Sequence, residues 1–221
     1  MRNIRVWDLP TRLFHWLLVV AVVGLVVTGN IGGNAMVWHF RLGYFVGSLV
    51  AFRLIWGFVG GHWSRFSSFL YAPRATLAYL RGQAEPAHLV GHNPLGAFSV
   101  FALLGLLAAQ VATGLMSDDE IANAGPLTRF VSEQTVSLAT RYHADIGKLL
   151  LIVLVALHVL AIAFYAWKKH VNLVRPMVLG DKAVDDGQAL PASRDDAPIR
   201  LLAAVIFAAC AAGMAWVASL G

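Results

Sequence analysis

The stretch RYHADIGKLLLIVLVALH, residues Arg141 to His158, carries two histidines separated by a strongly apolar run. His158 follows His143 by fifteen residues. On a regular α-helix this spacing gives a rise of about 22 Å and a net rotation of about 60°. Both imidazoles can therefore face the same side of one helix at two different depths. The stretch predicts a helix that offers a histidine near each end to the interior of a helical bundle.

The rest of the chain has the composition of a membrane protein. Of its 221 residues, 58% are hydrophobic and 13% are charged, whereas a soluble domain carries roughly a quarter charged residues. Five runs are long enough to cross a hydrocarbon core of about 30 Å as helices. These predicted spans are Leu13–Thr28 with its flanks, Met36–Val59, Leu95–Met116, Ile146–Trp167 and Arg200–Leu220. Asp8 and the lack of an A-x-A motif after the first run favour a retained helix over a cleaved signal peptide.

The positive charges predict the orientation of the spans. Thirteen of the 17 lysines and arginines precede the first span or lie around the loops that follow the second and fourth spans. Cytoplasmic loops carry an excess of such residues, so we expect a cytoplasmic N-terminus and a C-terminus on the opposite side. Topology therefore explains the net charge of +5. Nucleic-acid binding is not expected, because the basic residues form no patch interleaved with polar ones.

The predicted fold class is an all-α integral membrane protein, with a four-helix transmembrane bundle and a fifth, C-terminal transmembrane helix. The bundle domain covers residues 1–180. A polar cytoplasmic linker, residues 181–198, mixes acids with Pro and Gly and precedes the additional transmembrane helix at residues 199–221. Asn93 and Pro94 predict the start of the third span, with Asn93 as N-cap and Pro94 in the first turn.

Four of the eight histidines fall at matched depths in the predicted spans. His15 and His158 lie at the cytoplasmic level, and His39 and His143 lie at the outer level. The chain has one cysteine, so a metal site would have to rest on histidine. Two histidines at each of two levels predict axial ligation of two haems, although each histidine could instead hydrogen-bond to a neighbouring helix.

Smaller features accompany these histidines. Gly43 and Gly147 each follow a histidine by four residues, and Gly47 follows by eight. A flat macrocycle could approach the backbone at such positions, but glycines also serve ordinary helix packing. Arg53 lies fourteen residues beyond His39, about 21 Å deeper along a helix. Its guanidinium could pair with a haem propionate or extend to the lipid headgroups.

Four segments together resemble the bacterial cytochrome b561 family, which includes the b-type cytochrome subunit of nickel–iron hydrogenases. They are VWDLPTRLFHW, WHFRLGYFVGSLVAFRLIWGFVG, GHNPLG and RYHADIGKLLLIVLVALH. The resemblance covers approximately residues 3 to 180. It implies a bundle in the bacterial inner membrane that binds two haem b groups, with His15, His39, His143 and His158 as axial ligands. His92, in GHNPLG, then has two possible roles. It contacts a propionate or a quinone, or it only forms part of the start of the third span.

The resemblance also implies a function. Electrons would cross the bilayer between the quinone pool and a periplasmic redox protein, either a c-type cytochrome or a hydrogenase. Bis-histidine ligation leaves iron no open position, so electron transfer is expected, and quinone oxidoreductase activity of the chain itself stays open. The fifth span departs from the four-helix pattern of the family. The sequence therefore does not decide which protein is the partner, or whether the chain forms a homodimer.

Two alternatives compete with this interpretation. One is a stand-alone quinone reductase that oxidises a small donor such as superoxide, although the acidic outer loop would repel an anion. The other is a transporter whose histidines bind metal or relay protons, but the spans lack the carboxylates expected near the membrane midplane.

Overall fold

The computed structural model describes residues 2–83, 86–185, 187 and 189–221. Met1, Ala84 and Glu85 of the predicted bundle domain, and Asp186 and Gln188 of the predicted linker, lie outside the described residues. In chain order the elements are β1 (Arg2–Arg5), α1 (Leu9–Ile31), α2 (Met36–Val59), α3 (Pro73–Leu80), α4 (Pro94–Leu115), α5 (Glu133–Arg141), α6 (Lys148–Lys168), α7 (Val174–Leu179), β2 (Asp181–Val184) and α8 (Ala197–Ala218).

Within the described ranges, five helical segments are long and apolar enough to cross a membrane. They are α1, Gly33–Val59 with α2, α4, Glu133–Lys168 with α5 and α6, and α8. The five predicted spans are confirmed. Large apolar side chains such as Val20, Phe58 and Trp216 are exposed on these helices, as expected for surfaces that meet lipid rather than water.

The fourth spanning segment begins earlier than the sequence predicts. The apolar run indicates a start at Ile146, whereas the helical segment begins at Glu133 and is 36 residues long. Its first turns are polar, so hydropathy alone misses them. Ser132 caps this start, because its hydroxyl accepts a hydrogen bond of 3.3 Å from the Thr135 amide. A π-helical turn, Tyr142–Gly147, joins α5 to α6.

The chain forms two compact units. Unit 1 comprises Met1–Phe14, Arg53–Ala102 and Leu157–Ala204. Unit 2 comprises His15–Phe52, Leu103–Ala156 and Val205–Gly221. Long helices contribute residues to both units.

Unit 1 contains a small sheet over an apolar cluster. Strand β1 pairs antiparallel with β2, with Arg2 opposite Val184 and Arg5 opposite Asp181. The buried apolar residues here are Ile4, Val6, Trp7, Trp63, Val90 and Val184.

Asp8 is the polar centre of unit 1. It is fully buried and accepts four hydrogen bonds. The donors are Thr11 N (2.8 Å), Gly61 N (3.1 Å), Ser64 Oγ (2.7 Å) and Trp56 Nε1 (3.3 Å). The bond from Thr11 N makes Asp8 the N-cap of α1. One carboxylate therefore joins the start of α1 to the end of α2 and the turn that follows it.

The segment predicted as a polar linker folds onto unit 1. The Ser193 amide donates to Arg5 O and its hydroxyl donates to Val6 O, both at 2.7 Å. Trp63 Nε1 donates to Pro191 O at 2.8 Å. Asp195 forms ion pairs with Arg5 (2.7 Å) and Arg200 (3.0 Å). The sequence does not predict these contacts, because they depend on backbone groups far away in the chain.

Unit 2 has an apolar core drawn from four helices. Its buried residues are Ala21, Val46, Val50, Leu107 and Leu151. Helix α8 packs against α2 in this unit, since Phe207 meets the rings of Phe45 and Phe52 at centroid distances of 6.2 and 6.1 Å. Gly47 allows this approach, because a Cβ there would lie 2.8 Å from Met214 Cε.

Candidate functional site

His39, near the start of α2, is anchored to α1. Its Nδ1 lies 3.1 Å from Leu25 O and 3.3 Å from Thr28 Oγ1. The Thr28 hydroxyl donates to Gly24 O at 2.7 Å, so its oxygen accepts at His39. Because Leu25 O can only accept, the ring proton belongs on Nδ1. The lone pair of Nε2 is then available as a metal ligand.

His143, in the π turn, is anchored to α4 in the same manner. Its Nδ1 donates to Gln110 O at 2.9 Å. The Gln110 side chain in turn donates through Nε2 to His143 O at 3.2 Å. Here too the proton lies on Nδ1 and Nε2 keeps its lone pair. Metal-binding histidines typically show this arrangement, with the second ring nitrogen bonded to a carbonyl.

The two rings face each other within unit 2. Their centroids are 6.0 Å apart and their planes are perpendicular, at 90°. Two metal–imidazole bonds of about 2 Å each, with roughly 1 Å from each nitrogen to its ring centre, give a separation of roughly 6 Å. The residues present therefore fit two axial ligands on opposite sides of one metal ion, as in a bis-histidine haem.

Glycines on neighbouring helices make room for both rings. A Cβ at Gly29 would lie 3.0 Å from His39 Cε1, and one at Gly114 would lie 2.8 Å from His143 Cε1. At Gly43 no described atom lies within 4 Å of the position that a Cβ would take. This leaves space beside the helix backbone, which a flat ring bound there would need. Gly47 meets Met214 and Gly147 meets Gln110, so these two glycines serve helix packing.

A cavity of about 400 Å³ surrounds the two histidines. Its apolar wall includes Val22, Leu25, Leu107 and Val111, and its polar residues include Asp118, Asn123, Thr140 and Lys148. Cofactor sites are commonly apolar cavities of this size with a few polar groups. An apolar macrocycle matches the apolar wall, and Lys148 supplies a cation suited to a propionate.

His15 and His158 are not brought together within one unit. His15 belongs to unit 2, where its ring meets Trp16 edge-on at a centroid distance of 5.0 Å. His158 is half-buried in α6 and belongs to unit 1. Their pairing therefore stays a prediction from the sequence.

Arg53 is a buried cation of unit 1. It is only 3% exposed, so the alternative that it extends to the headgroups does not describe its conformation. The guanidinium lies over the Phe66 ring, 4.8 Å from the centroid. Nη1 is buried and has no hydrogen-bond acceptor among the described residues. Such a group suits an anion, and the propionate contact stays a prediction.

His92 lies between two aromatic rings of unit 1. Its centroid is 4.6 Å from that of Trp7 and 4.4 Å from that of Phe69. The neighbouring Asn93 accepts a hydrogen bond of 2.8 Å from Gly96 N, which confirms Asn93 as the N-cap of α4. The predicted contact of His92 with a propionate or quinone is not tested by this packing.

Lys182 and Asp119 are charged groups outside the spans whose pKa values are shifted. Burial lowers the pKa of Lys182, whose ammonium donates to the carbonyls of Leu89 and Val90. The Asn123 side chain and the backbone amides around it hold the pKa of Asp119 well below its usual range. Asp119, in the loop between α4 and α5, is therefore ionised at neutral pH.

Four residues of this site were not predicted from the sequence: Thr28, Gly29, Gln110 and Gly114. Gln110 carries a signal that could have identified it, since it is a single amide in an otherwise apolar span and polar groups in membranes usually have a partner. The glycines carry no such signal, because small residues occur throughout membrane helices.

Comparison with known proteins identifies the family of this chain. The model of one family, prokaryotic cytochrome b561, matches residues 6–180. The chain belongs to that family. The resemblance seen in the sequence is confirmed, and with it a multi-pass membrane protein of the b-type cytochrome class, which binds haem b and takes part in electron transport.

Curated relatives of this cytochrome b561 chain include several hydrogenase subunits. A probable Ni/Fe-hydrogenase B-type cytochrome subunit of Cupriavidus necator is 29% identical over 149 residues, covering 54% of this chain and 60% of that protein. One from Rhodobacter capsulatus is 23% identical over 219 residues, 83% of each chain. The probable Ni/Fe-hydrogenase 1 B-type cytochrome subunit of Escherichia coli is 25% identical over 135 residues, 49% of this chain and 57% of that protein. The chain thus spans little more than half the length of most of these relatives. No solved structure matches it significantly.

Proposed function

We propose that this cytochrome b561 protein binds two haem b groups and transfers electrons across the bilayer between the quinone pool and a periplasmic redox protein. The facing pair of His39 and His143, with rings 6.0 Å apart, is the observation that supports it most directly. Bound haem supplies a one-electron carrier whose potential depends on ligands, hydrogen bonds and burial.

The chain's own residues prepare the His39–His143 site. The carbonyls of Leu25 and Gln110 hold the proton of each ring on Nδ1, which raises the basicity of Nε2 as a ligand. Gly29 and Gly114 let the rings approach their anchoring helices. The apolar cavity wall excludes water, so the site favours electron transfer over reactions with solvent.

The second haem is proposed from the sequence, with His15 and His158 as its ligands. Arg53 would hold one of its propionates, because its Nη1 is buried without an acceptor among the described residues and a buried N–H is stabilised by an anionic acceptor. In the predicted orientation, with the N-terminus in the cytoplasm of a bacterial inner membrane, this haem lies on the cytoplasmic side and the His39–His143 site on the periplasmic side.

We further propose a Ni/Fe hydrogenase as the redox partner, rather than a c-type cytochrome. The support is that the relatives from Cupriavidus necator and Rhodobacter capsulatus are probable hydrogenase cytochrome subunits. Co-purification of hydrogenase with this chain from its native membranes is the expected result. Reduction of a quinone by superoxide with the purified chain alone would favour the stand-alone reductase instead.

The haem content of histidine variants tests the proposal. A pyridine haemochrome assay should give two haem b groups per wild-type chain, and one in each of His15→Ala, His39→Ala, His143→Ala and His158→Ala. His62→Ala, a loop histidine outside both pairs, is the control and should keep two. An unchanged haem content in His39→Ala or His143→Ala would contradict the proposed ligands.

A further inference from the structure

The two proposed ligands of the unit 2 site are held differently. His39 lies in the regular helix α2 and is held only through its ring, by Leu25 O and Thr28 Oγ1. His143 lies in the π turn Tyr142–Gly147 and is held through its ring and its backbone carbonyl. π turns are rare and occur frequently at functional sites.

Both contacts of His143 are made by one residue, Gln110. The main-chain oxygen of Gln110 accepts the Nδ1 proton at 2.9 Å, and its side-chain Nε2 donates to His143 O at 3.2 Å. These bonds form a bracket that fixes the ring and the peptide plane of His143 with respect to α4. Rotation of the His143 ring about its own axis would break the first bond, and unwinding of the π turn would break the second.

The surroundings of Gln110 are shaped to this bracket. A Cβ at Gly147 would lie 2.0 Å from Gln110 Oε1, so the amide fits only because residue 147 is glycine. Oε1 itself is buried and has no hydrogen-bond donor within the described part of the chain. An acceptor without a donor is unfavourable in a buried site, so the amide is oriented for the bond from Nε2 to the carbonyl of His143 rather than for a bond to Oε1.

We propose that Gln110 is the positioning residue of the unit 2 haem site: its side chain holds the π turn, and thereby sets the His143 ring perpendicular to that of His39 and sets the strength of the Nδ1 hydrogen bond. The inference rests on the proposed haem ligation by His39 and His143. A strong Nδ1 hydrogen bond makes imidazole a better donor to oxidised iron, so loss of the bracket raises the reduction potential of this haem.

Gln110→Met tests the inference, because it keeps the length of the side chain and the main-chain acceptor but removes the Nε2 donor. We expect two haems per chain, as in the wild type. At the wild-type midpoint of the unit 2 haem, the ratio of reduced to oxidised haem should rise about tenfold, which corresponds to about 59 mV. The low-spin EPR signal of the same haem should also change, since it depends on the angle between the imidazole planes.

Two further variants distinguish the effect of a Gln→Met substitution in general from the effect of moving the Gln110 side chain. Gln134→Met makes the same change at an exposed site of α5 and should leave potential and EPR signal unchanged. Gly147→Ala displaces the Gln110 amide without altering it, and should shift both readouts in the direction of Gln110→Met. The unit 2 signals are identified as those that His39→Ala lacks.

The outcomes distinguish the inference from the proposed function. Wild-type potential and EPR signal in Gln110→Met, with both haems bound, would overturn the positioning role and leave the haem ligation standing. A wild-type chain without a haem that depends on His39 and His143 would overturn both. If Gln110→Met fails to fold, Gly147→Ala decides, and unchanged signals there overturn the role.

Discussion

Polar side chains in unit 1 join distant segments of the chain, whereas those in the interior of unit 2 hold two histidines. In unit 1, Asp8 receives four hydrogen bonds and Asp195 pairs with Arg5 and Arg200. In unit 2, the buried core is apolar, and among the described residues the side-chain hydrogen bonds from one long helix to another are those of His39 with α1 and of His143 and Gln110 between α4 and the π turn.

The difference shows that polar side chains serve the fold at some places of the chain and a ligand site at others. Loops and chain ends have backbone groups that need partners, and carboxylates provide them. Among helices in lipid, the backbone is already satisfied within each helix. A polar side chain is costly there, and it is kept where a ligand has to be oriented. Polar truncations should therefore reduce stability in unit 1, and changes around the histidines should reduce haem binding in unit 2.

The largest effect is expected for Asp8→Ala. The substitution leaves the amides of Thr11 and Gly61 and the side chains of Ser64 and Trp56 without their acceptor in a buried site. The free energy of unfolding should fall by about 3–5 kcal/mol, while the His39–His143 haem of the folded fraction keeps its spectrum. Urea unfolding in detergent micelles, followed by Trp fluorescence and haem absorbance, measures both.

Asp8→Asn keeps one acceptor oxygen and should lose a smaller part of the stability. Asp185→Asn, an exposed carboxylate of unit 1, is the matched control and should resemble the wild type. Equal stability of Asp8→Ala and Asp185→Asn would break the contrast between the two units.

The second effect is expected at Gly114. In Gly114→Ala the new methyl would lie 2.8 Å from His143 Cε1 and 3.0 Å from Nδ1, so the ring has to move away from its carbonyl acceptor. Loss of such an outer contact typically costs about 10–100-fold in metal affinity. Haem titration of the apoprotein should show this loss for one of the two sites only.

Gly105→Ala is its control on the same helix, since a Cβ at Gly105 has no described atom within 4 Å. It should bind both haems as the wild type does. A Gly114→Ala protein with wild-type haem affinity would show that the His143 ring does not need this close approach.

The third effect depends on pH. Burial alone would raise the pKa of Asp195, but hydrogen bonds from Arg200 and Leu9 N and the charges of Arg200 and Arg5 outweigh it, and the pKa lies below its ordinary value. A lowered pKa contributes stability above the unfolded-state value of about 3.9, and this is lost as the pH falls through the folded-state value.

Asp195→Asn should therefore lower the free energy of unfolding by about 1–2 kcal/mol at neutral pH. The difference from the wild type should begin to shrink below a pH of about 4, where the carboxylate of the unfolded state takes up its proton, and should vanish below the lowered folded-state pKa of Asp195. Denaturation curves at several pH values check this, with Asp185→Asn as the reference. A gap that stays constant over the whole pH range would rule out the ionic origin of the effect.

The smallest effect is expected for the helix cap of α5. Ser132→Ala removes the hydroxyl that accepts from Thr135 N, at a cost of about 0.5–1 kcal/mol. Ser137→Ala, in the exposed middle of the same helix, should change stability less. Thermal unfolding of the two variants side by side gives the comparison. A larger loss of thermal stability in Ser137→Ala than in Ser132→Ala would show that the N-cap contributes little to the stability of α5.

Much of the fold follows from hydropathy. The bounds of α2 agree with the predicted span, because apolar residues begin and end there abruptly. The start at Glu133 was missed because the first turns of that segment are polar and lie beyond the apolar run. The pairing of β1 with β2 and the docking of Ser193 could not be predicted, because short strands and backbone bonds between distant segments leave no periodic pattern in the sequence.

The candidate site was predicted in part. Matching the histidines by depth predicts that His39 and His143 lie together, and in the structure their rings are 6.0 Å apart with perpendicular planes. The same reasoning assumed a regular helix between His143 and His158, and the π turn was not foreseen, since it follows from tertiary contacts of Gln110 and Gly147 rather than from local propensity. In the sequence Asp8 argues against a cleaved signal peptide, and an Asp at that place is also a typical N-cap.

A π turn contains one residue more than an α turn needs. Tyr142–Gly147 can therefore lose a residue and become a plain α-helix without turning the downstream histidine to the opposite face. Homologues with a one-residue deletion here are expected to retain both ligands. When such a homologue is aligned with this chain, a one-residue gap between the two histidines gives the correct register.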